Sequence, residues 1–437
     1  MASSRKSKPS LKAFPNSANR IGLAVSGGLD SVVLLDSVCK AVQVNSSSST
    51  EVWVFHIHHG LQKPADQWLE FCEKLAKKYR VHFDFRLLHF ADQSLGNIEA
   101  KARAERYDAL TELCIEHDIE DLLLAHHQND QAETVLLQLL RGSGVAGLSG
   151  MPLHRQNSKK DHPINLWRPL LNQSRSELEL YAKVNKLKWI EDPSNQNMRY
   201  RRNAVRKEII PKLEKIQPGA VANLARSADL LAQSQTLLDR LAQLDGKGIY
   251  QSHNLKLAPL LTLARLDKSA ANNLMRYWLK LNGLAMPSQE RLESWWKDLM
   301  AVKTDSSLEW RHDEASIYLW RGILQVASCN AGAWIFKDVS PRSSLLGLPA
   351  AWVYAAQEQG LIEERLRQGA EKIQIKPNAP RKTLKNLFQE SDTPPWDRQA
   401  PLLFIHGRLM AVAGVGVSYP DLVTTGKRVL PVWLEKR

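Results

Sequence analysis

The stretch Ile21-Gly22-Leu23-Ala24-Val25-Ser26-Gly27-Gly28-Leu29-Asp30-Ser31-Val32-Val33-Leu34-Leu35 decides how the first half of this chain is read. Ile21 to Val25 is a short apolar run of strand type. From Ser31, apolar residues Val32, Val33, Leu34, Leu35 and Val38 recur at helical spacing. The turn between them, Ser26 to Ser31, has the parts of a phosphate-binding loop. Gly27 and Gly28 leave backbone N–H groups clear of side chains, and the helix that follows presents an N-terminus that attracts negative charge. Leu29 adds its main chain, Ser26 and Ser31 add hydroxyl donors, and Asp30 is placed to reach a magnesium ion that neutralises phosphates. No Lys falls between Ser26 and Asp36, so this is not the Walker A pattern. The plain alternative is a simple turn with Asp30 as a helix N-cap.

Working outward, the order strand, helix continues. Val52 to Ile57 reads as a strand, Gln67 to Tyr79 as a helix, Val81 to Leu88 as a strand and Ile98 to His117 as a helix. Asp121 to Ala125 is a short buried strand ahead of a helix from Ala132 to Leu140, and Arg155 to His162 is a polar loop. Such alternation predicts a doubly wound, mostly parallel α/β sheet with helices on both faces and ligands at the carboxyl ends of the strands. Ser26 to Ser31, His58-His59-Gly60 and His126 to Asp130 all follow predicted strands, so one cleft gathers them. Ser174 to Glu177 is a capping box opening another helix. We divide the 437 residues into an ATP-binding catalytic domain over 1–217, a mainly helical middle domain over 218–330, and a small α+β domain over 331–437, where Arg381 to Gln389 is a helix.

Two resemblances sharpen this. Ser26 to Ser31 resembles the PP-loop of the ATP pyrophosphatases, a Rossmann-like group that splits ATP between its α and β phosphates and activates a substrate as an adenylate. A second, longer constellation runs from His126-His127-Gln128-Asn129-Asp130-Gln131-Ala132-Glu133-Thr134 through Leu139-Leu140-Arg141-Gly142-Ser143-Gly144 to Gly147-Leu148-Ser149. With His58-His59-Gly60-Leu61, Arg106-Tyr107, Arg168-Pro169-Leu170 and Asp192-Pro193-Ser194-Asn195, it resembles the tRNA(Ile)-lysidine synthetase family over nearly all of the first 210 residues. The likeness returns at Leu384 to Trp396 and Ala413 to Gly416. It implies a ligase that uses ATP and magnesium, with lysine and the CAU-anticodon tRNA(Ile) as substrates. It implies that Arg106, Asp130 and Glu133 contact lysine and that Arg202 approaches ATP and the target base. One departure is visible: many members carry two acids where this chain has Asn129 then Asp130. Another PP-loop enzyme of tRNA, such as a thiolase, is the rival, but that chemistry calls for paired cysteines.

Read without the resemblance, Asp130 and Glu133 also suit a helix N-terminus, as an N-cap and a first-turn acid, and the two readings stand equal. His126 has an ordinary pKa of about 6.5, which makes it a candidate to polarise a phosphate or shuttle a proton. Arg199, Arg202 and Arg206 share one helical face and suit either a solvated surface or an RNA contact. Arg381, Lys382 and Lys385 lie beside Trp396, which reads equally as an RNA-stacking aromatic or as core.

The bulk numbers agree with a nucleic-acid partner. The chain has 59 basic against 46 acidic residues, a net +13, with 43% hydrophobic and 24% charged residues. Four widely spaced cysteines without a CxxC pair, and no apolar run of a length that crosses a membrane, predict a cytoplasmic protein without a membrane partner. Oligomeric state is left open, a homodimer included.

Overall fold

The computed structural model describes residues 11, 15, 18–44, 50–58, 65–88, 98–157, 163–191, 198, 201–302, 308–313, 315–327, 332–340, 343–391, 393–394 and 396–435. The chain divides into two compact units, Met1–Leu237 and Leu238–Arg437.

In the first unit the chain runs β1 (Arg20–Ala24), α1 (Leu29–Val44), β2 (Glu51–His58), α2 (Ala65–Tyr79), β3 (His82–Leu87), α3 (Ile98–Glu116), β4 (Asp121–Leu123), α4 (Gln128–Leu139), α5 (Val145–Leu148), β5 (His154–Asn157), β6 (Ile164–Trp167), α6 (Arg175–Val184), α7 (Arg201–Ala204) and α8 (Ile210–Ile216). A five-residue π-helix, Val205–Ile209, joins α7 to α8. The six strands form one sheet in the order β3-β2-β1-β4-β6-β5, parallel except for β5. Both faces are buried, and residues alternate between them. Val52 and Val54 pack with α1 and α6 residues such as Leu34, Val38, Leu178 and Tyr181. Their neighbours Phe55 and Ile57 pack on the other face with Leu110 and Leu113 of α3. Gly22 makes room for this layer, since a Cβ there would lie 2.9 Å from the Phe55 ring.

The expected doubly wound sheet is present, with two local corrections. α4 begins four residues before the expected Ala132, because His127 caps it. The polar stretch read as a loop from Arg155 starts inside β5, an edge strand without the apolar alternation that marks a half-buried one.

Helix α9 (Ala220–Asp245) ends in the second unit. There β7 (Tyr250–Gln251), β8 (Asn254–Lys256), α10 (Leu257–Leu266), α11 (Lys268–Leu281), α12 (Gln289–Ala301), β9 (Leu308–His312), β10 (Ala315–Trp320) and β11 (Ile323–Ala327) share a core around Trp278, Trp295, Trp296 and Ile317. The region expected as mainly helical therefore also holds an antiparallel sheet, order β7-β8-β11-β10-β9. Beyond it, the antiparallel pair Gly332–Val339 with Arg428–Glu435 and the helices Ala350–Glu358 and Leu384–Glu390 give the expected α+β character. The latter helix starts at Leu384, with Thr383 as its N-cap, so Arg381 and Lys382 precede it rather than lie on it. Trp396 is core: it is 8% exposed and stacks on Tyr318 with ring centroids 4.0 Å apart. Among the described residues no helix is long and apolar enough to cross a membrane.

Candidate active site

The strand order reverses direction between β1 and β4, and open α/β sheets bind ligands just beyond that point. There β1 leads into Ser26-Gly27-Gly28, and β4 leads into His126-His127. Gly27 sits at φ +84°, where a side chain would be strained, and a Cβ there would meet Cys72, Ile190 and Phe71 at the ordinary contact distance of 3.4 Å. Its carbonyl accepts from the Ile190 N–H at 2.9 Å. Ser31 Oγ donates to the Gly28 carbonyl at 2.9 Å and lies 3.3 Å from Ser26 Oγ, so the two hydroxyls and the glycine backbone form one polar bend. Leu29 and Asp30 open α1, so Asp30 is a first-turn acid and not the cap preceding the helix.

α4 is capped by His127. Its Nδ1 accepts from the Asn129 N–H at 3.2 Å, while Asp130 reaches back to the His127 N–H at 3.0 Å. With Nδ1 an acceptor, Nε2 carries the proton, and it lies 3.4 Å from Asp130 and 3.7 Å from Asp30. His127 thus bridges the phosphate-type loop and the α4 acids, two of the three segments expected in one cleft; His59 and Gly60 of the third lie outside the described residues.

The acids themselves are already paired. Glu133, fully buried, takes Arg202 Nε at 2.7 Å and Arg206 Nε at 2.5 Å; Asp130 takes the two Nη2 groups at 3.0 and 3.2 Å. Burial pushes the Asp130 carboxyl up, but His127, Arg202, His126 and the His127 N–H together outweigh it and hold it at about 2. Burial disfavours the charged forms of Arg202 and Arg206, and the two acids more than offset it. Arg206, expected on an RNA surface, is therefore turned toward α4. The π-helix that carries it widens the turn after Arg202, a distortion often found at functional sites.

Asp30 is paired too. Arg175 Nη1 donates to both of its oxygens at 2.8 Å. Burial raises the Asp30 pKa, and His127 and Arg175 oppose that rise. Sequence reading missed Arg175, although it directly follows the recognised cap Ser174; nothing in a capping box says where the next side chain points. It also missed what Asn129 does: its Oδ1 accepts the Arg175 backbone N–H at 3.0 Å, tying the first turns of α4 and α6 together.

His126 needs a correction. Burial, reinforced by Arg168, Arg103 and Arg202, holds its pKa down at about 3 against the pull of Asp130, and its Nδ1 is fully covered without a hydrogen-bond partner among the described residues. At neutral pH the ring is uncharged, so the two protonation states are not both within reach. Arg106 is exposed on α3. Arg199, His59 to Leu61, Asp192 to Asn195 and Cys329 lie outside the described residues. Lys382 pairs with Glu390 at 2.6 and 2.8 Å, while Arg381 and Lys385 are exposed.

Three family models match the chain: a PP-loop domain over residues 2–213, a TilS substrate binding domain over 259–325 and a TilS substrate C-terminal domain over 362–427. A tRNA(Ile)-lysidine synthase of Burkholderia pseudomallei is 35% identical over 93% of this chain and 91% of its own length. This chain belongs to the tRNA(Ile)-lysidine synthase family. Enzymes of the same name from Coxiella burnetii, 34% identical over 90% of this chain and 88% of theirs, and from Nitrosomonas europaea, 32% identical over 97% and 93%, bracket the match. As a tRNA(Ile)-lysidine synthase-type ligase with a PP-loop, the chain uses ATP.

Proposed function

We propose that the chain ligates lysine to C2 of the wobble cytidine in the CAU anticodon of tRNA(Ile), forming lysidine and changing codon reading from AUG to AUA. The observation that carries this is the meeting of the Ser26–Ser31 bend with the His127–Asp130–Glu133 start of α4 at the sheet's reversal point. The cytidine C2 carbonyl oxygen attacks the α phosphorus of ATP, and pyrophosphate leaves. The lysine ε-amine, having lost a proton, then attacks C2, and AMP leaves. The loop's backbone N–H groups and the α1 N-terminus hold the phosphates. Asp30 is the carboxylate that would hold a magnesium ion, since that ion takes one or two carboxylates beside phosphate oxygens and water, and a bound ion would supply charge neutralisation for the pyrophosphate.

Asp130 and Glu133 are the acids for a lysine ammonium, and Arg202 and Arg206 the groups for a carboxylate or phosphate. Because these four are now paired with one another, an entering lysine exchanges places with a guanidinium rather than filling a vacant acid site. A thiolase reading fares poorly. Cys39, Cys72 and Cys114 are free, buried and each pushed up to about 12, which makes them poor nucleophiles. We assign the reaction to the cytoplasm, where tRNA and ATP are both supplied.

The test is incorporation. Purified protein with ATP, labelled lysine and tRNA transcripts should label the CAU-anticodon tRNA(Ile), with one AMP released per lysine, and should leave tRNA(Met) unlabelled. Equal labelling of both tRNAs, or AMP release without lysine transfer, would overturn the proposal.

A further inference from the structure

A nucleoside triphosphate carries about four negative charges, and the Walker A loop answers them with a Lys directly after its second Gly. This loop has none between Ser26 and Asp36. A cation must come from another element, and α6 brings one. Arg175 Nη1 lies 2.8 Å from both oxygens of Asp30, in the first turn of the helix the loop opens.

The placement of Arg175 is built into the packing. α1 and α6 run side by side in one fixed offset, marked by three polar contacts: Asp30 with Arg175, Asp36 with the Tyr181 hydroxyl at 2.6 Å, and the Lys40 ammonium with Asn185 at 2.7 Å, each 145 residues apart in sequence. Asp36 is buried and also accepts the Tyr79 hydroxyl at 2.7 Å, so the middle rung is anchored to α2 as well. At its amino end α6 is pinned by Asn129 Oδ1 on the Arg175 N–H. The Arg175 side chain remains 40% exposed. It meets Asp30 through one nitrogen bifurcated over two oxygens, while its Nε turns to Glu179 at 3.1 Å. The two-nitrogen fork that gives Arg its strongest grip on a carboxylate is not used here.

We propose that Arg175 is the phosphate-binding cation of this ATP site, replacing the missing loop lysine: it leaves Asp30 for the β and γ phosphates when the nucleotide binds and stays with pyrophosphate as it departs. This rests on the reading that ATP lies on the Ser26–Ser31 bend. The exchange suits both partners. Asp30 released from Arg175 is free to face a divalent cation, and Arg175 gains a ligand that accepts its planar fork. A guanidinium that served only as the counter-ion of Asp30 would behave in the opposite way, because it would compete with any cation arriving there.

Calorimetric titration of the full chain with ATP, inorganic pyrophosphate and AMP separates the two. For Arg175→Ala, the Kd of ATP and of pyrophosphate should rise about 10- to 100-fold, the worth of a charge-assisted hydrogen bond, while AMP stays within about 2-fold. Arg175→Lys, which keeps the charge but not the fork and leaves the α6 cap intact, should fall between. Unchanged or tighter ATP and pyrophosphate binding in either variant would assign Arg175 to Asp30 alone and overturn the proposal. Wild-type protein that binds neither ATP nor pyrophosphate would instead remove the nucleotide reading itself.

Discussion

His126 shows how far burial moves a side chain from its sequence expectation. Held at about 3, its pKa lies well below the 6.5 of an exposed imidazole. Between those values the unfolded chain binds a proton at this site that the folded chain refuses. Stability from this group is therefore fully present above pH 6.5 and falls as pH drops toward 3, by roughly 1.4 kcal/mol for each pH unit. Asp130, depressed to about 2, works in the same direction over a lower window, from its unfolded value near 4 downward. A neutral substitute, His126→Gln, keeps a polar group and removes the titration. Its midpoint in urea should change less than the wild type's between pH 6.5 and 4.5, and the difference between the two proteins cancels contributions from every other acid. Parallel pH profiles would mean that the ring gains a proton in the folded state.

At the level of elements, the site is a junction between helix starts. α4 opens on His127, α6 on Ser174, and Asn129 links them by accepting the Arg175 N–H. Removing that acceptor leaves an N–H of the first turn unmet. Asn129→Ala should lower stability by about 1 kcal/mol, whereas Asn129→Asp, an equal acceptor, should stay within about 0.5 kcal/mol. Equal loss in both would show that the amide's N–H₂, not its oxygen, matters. This junction was only half legible in the sequence. The Ser26–Ser31 bend and the Ser174–Glu177 capping box announce themselves, because glycine and serine have few other reasons to stand there. The α4 start did not, since His is rarely a cap and the reciprocal acid is Asp130, not Glu or Gln. Nor did the π-helix: the three- and four-residue spacing of the arginines correctly put Arg202 and Arg206 on one face, but a charge pattern carries no direction. Only the packed structure turns that face toward Glu133.

Across the whole molecule, that reversal changes where the +13 surplus is available to a polyanion. Before any ligand binds, Arg175, Arg202 and Arg206 pair with acids within the first unit, around the proposed ATP and lysine site, and Lys382 pairs with Glu390 in the second. Arg381 and Lys385 are exposed on either side of the cap Thr383, and Trp396, buried against Tyr318, offers no stacking face. We propose that the C-terminal domain binds tRNA electrostatically, read through counterion release. Each phosphate contact removed flattens the plot of log K against log salt by about one unit. The double variant Arg381→Ala with Lys385→Ala should therefore weaken tRNA binding at low salt and flatten the slope by about two. Lys382→Ala alone should leave the slope nearly unchanged, since Glu390 already neutralises that ammonium. A full unit of flattening from Lys382→Ala would mean that the ion pair opens when tRNA arrives, and no flattening from the double variant would move the tRNA-binding surface elsewhere on the chain.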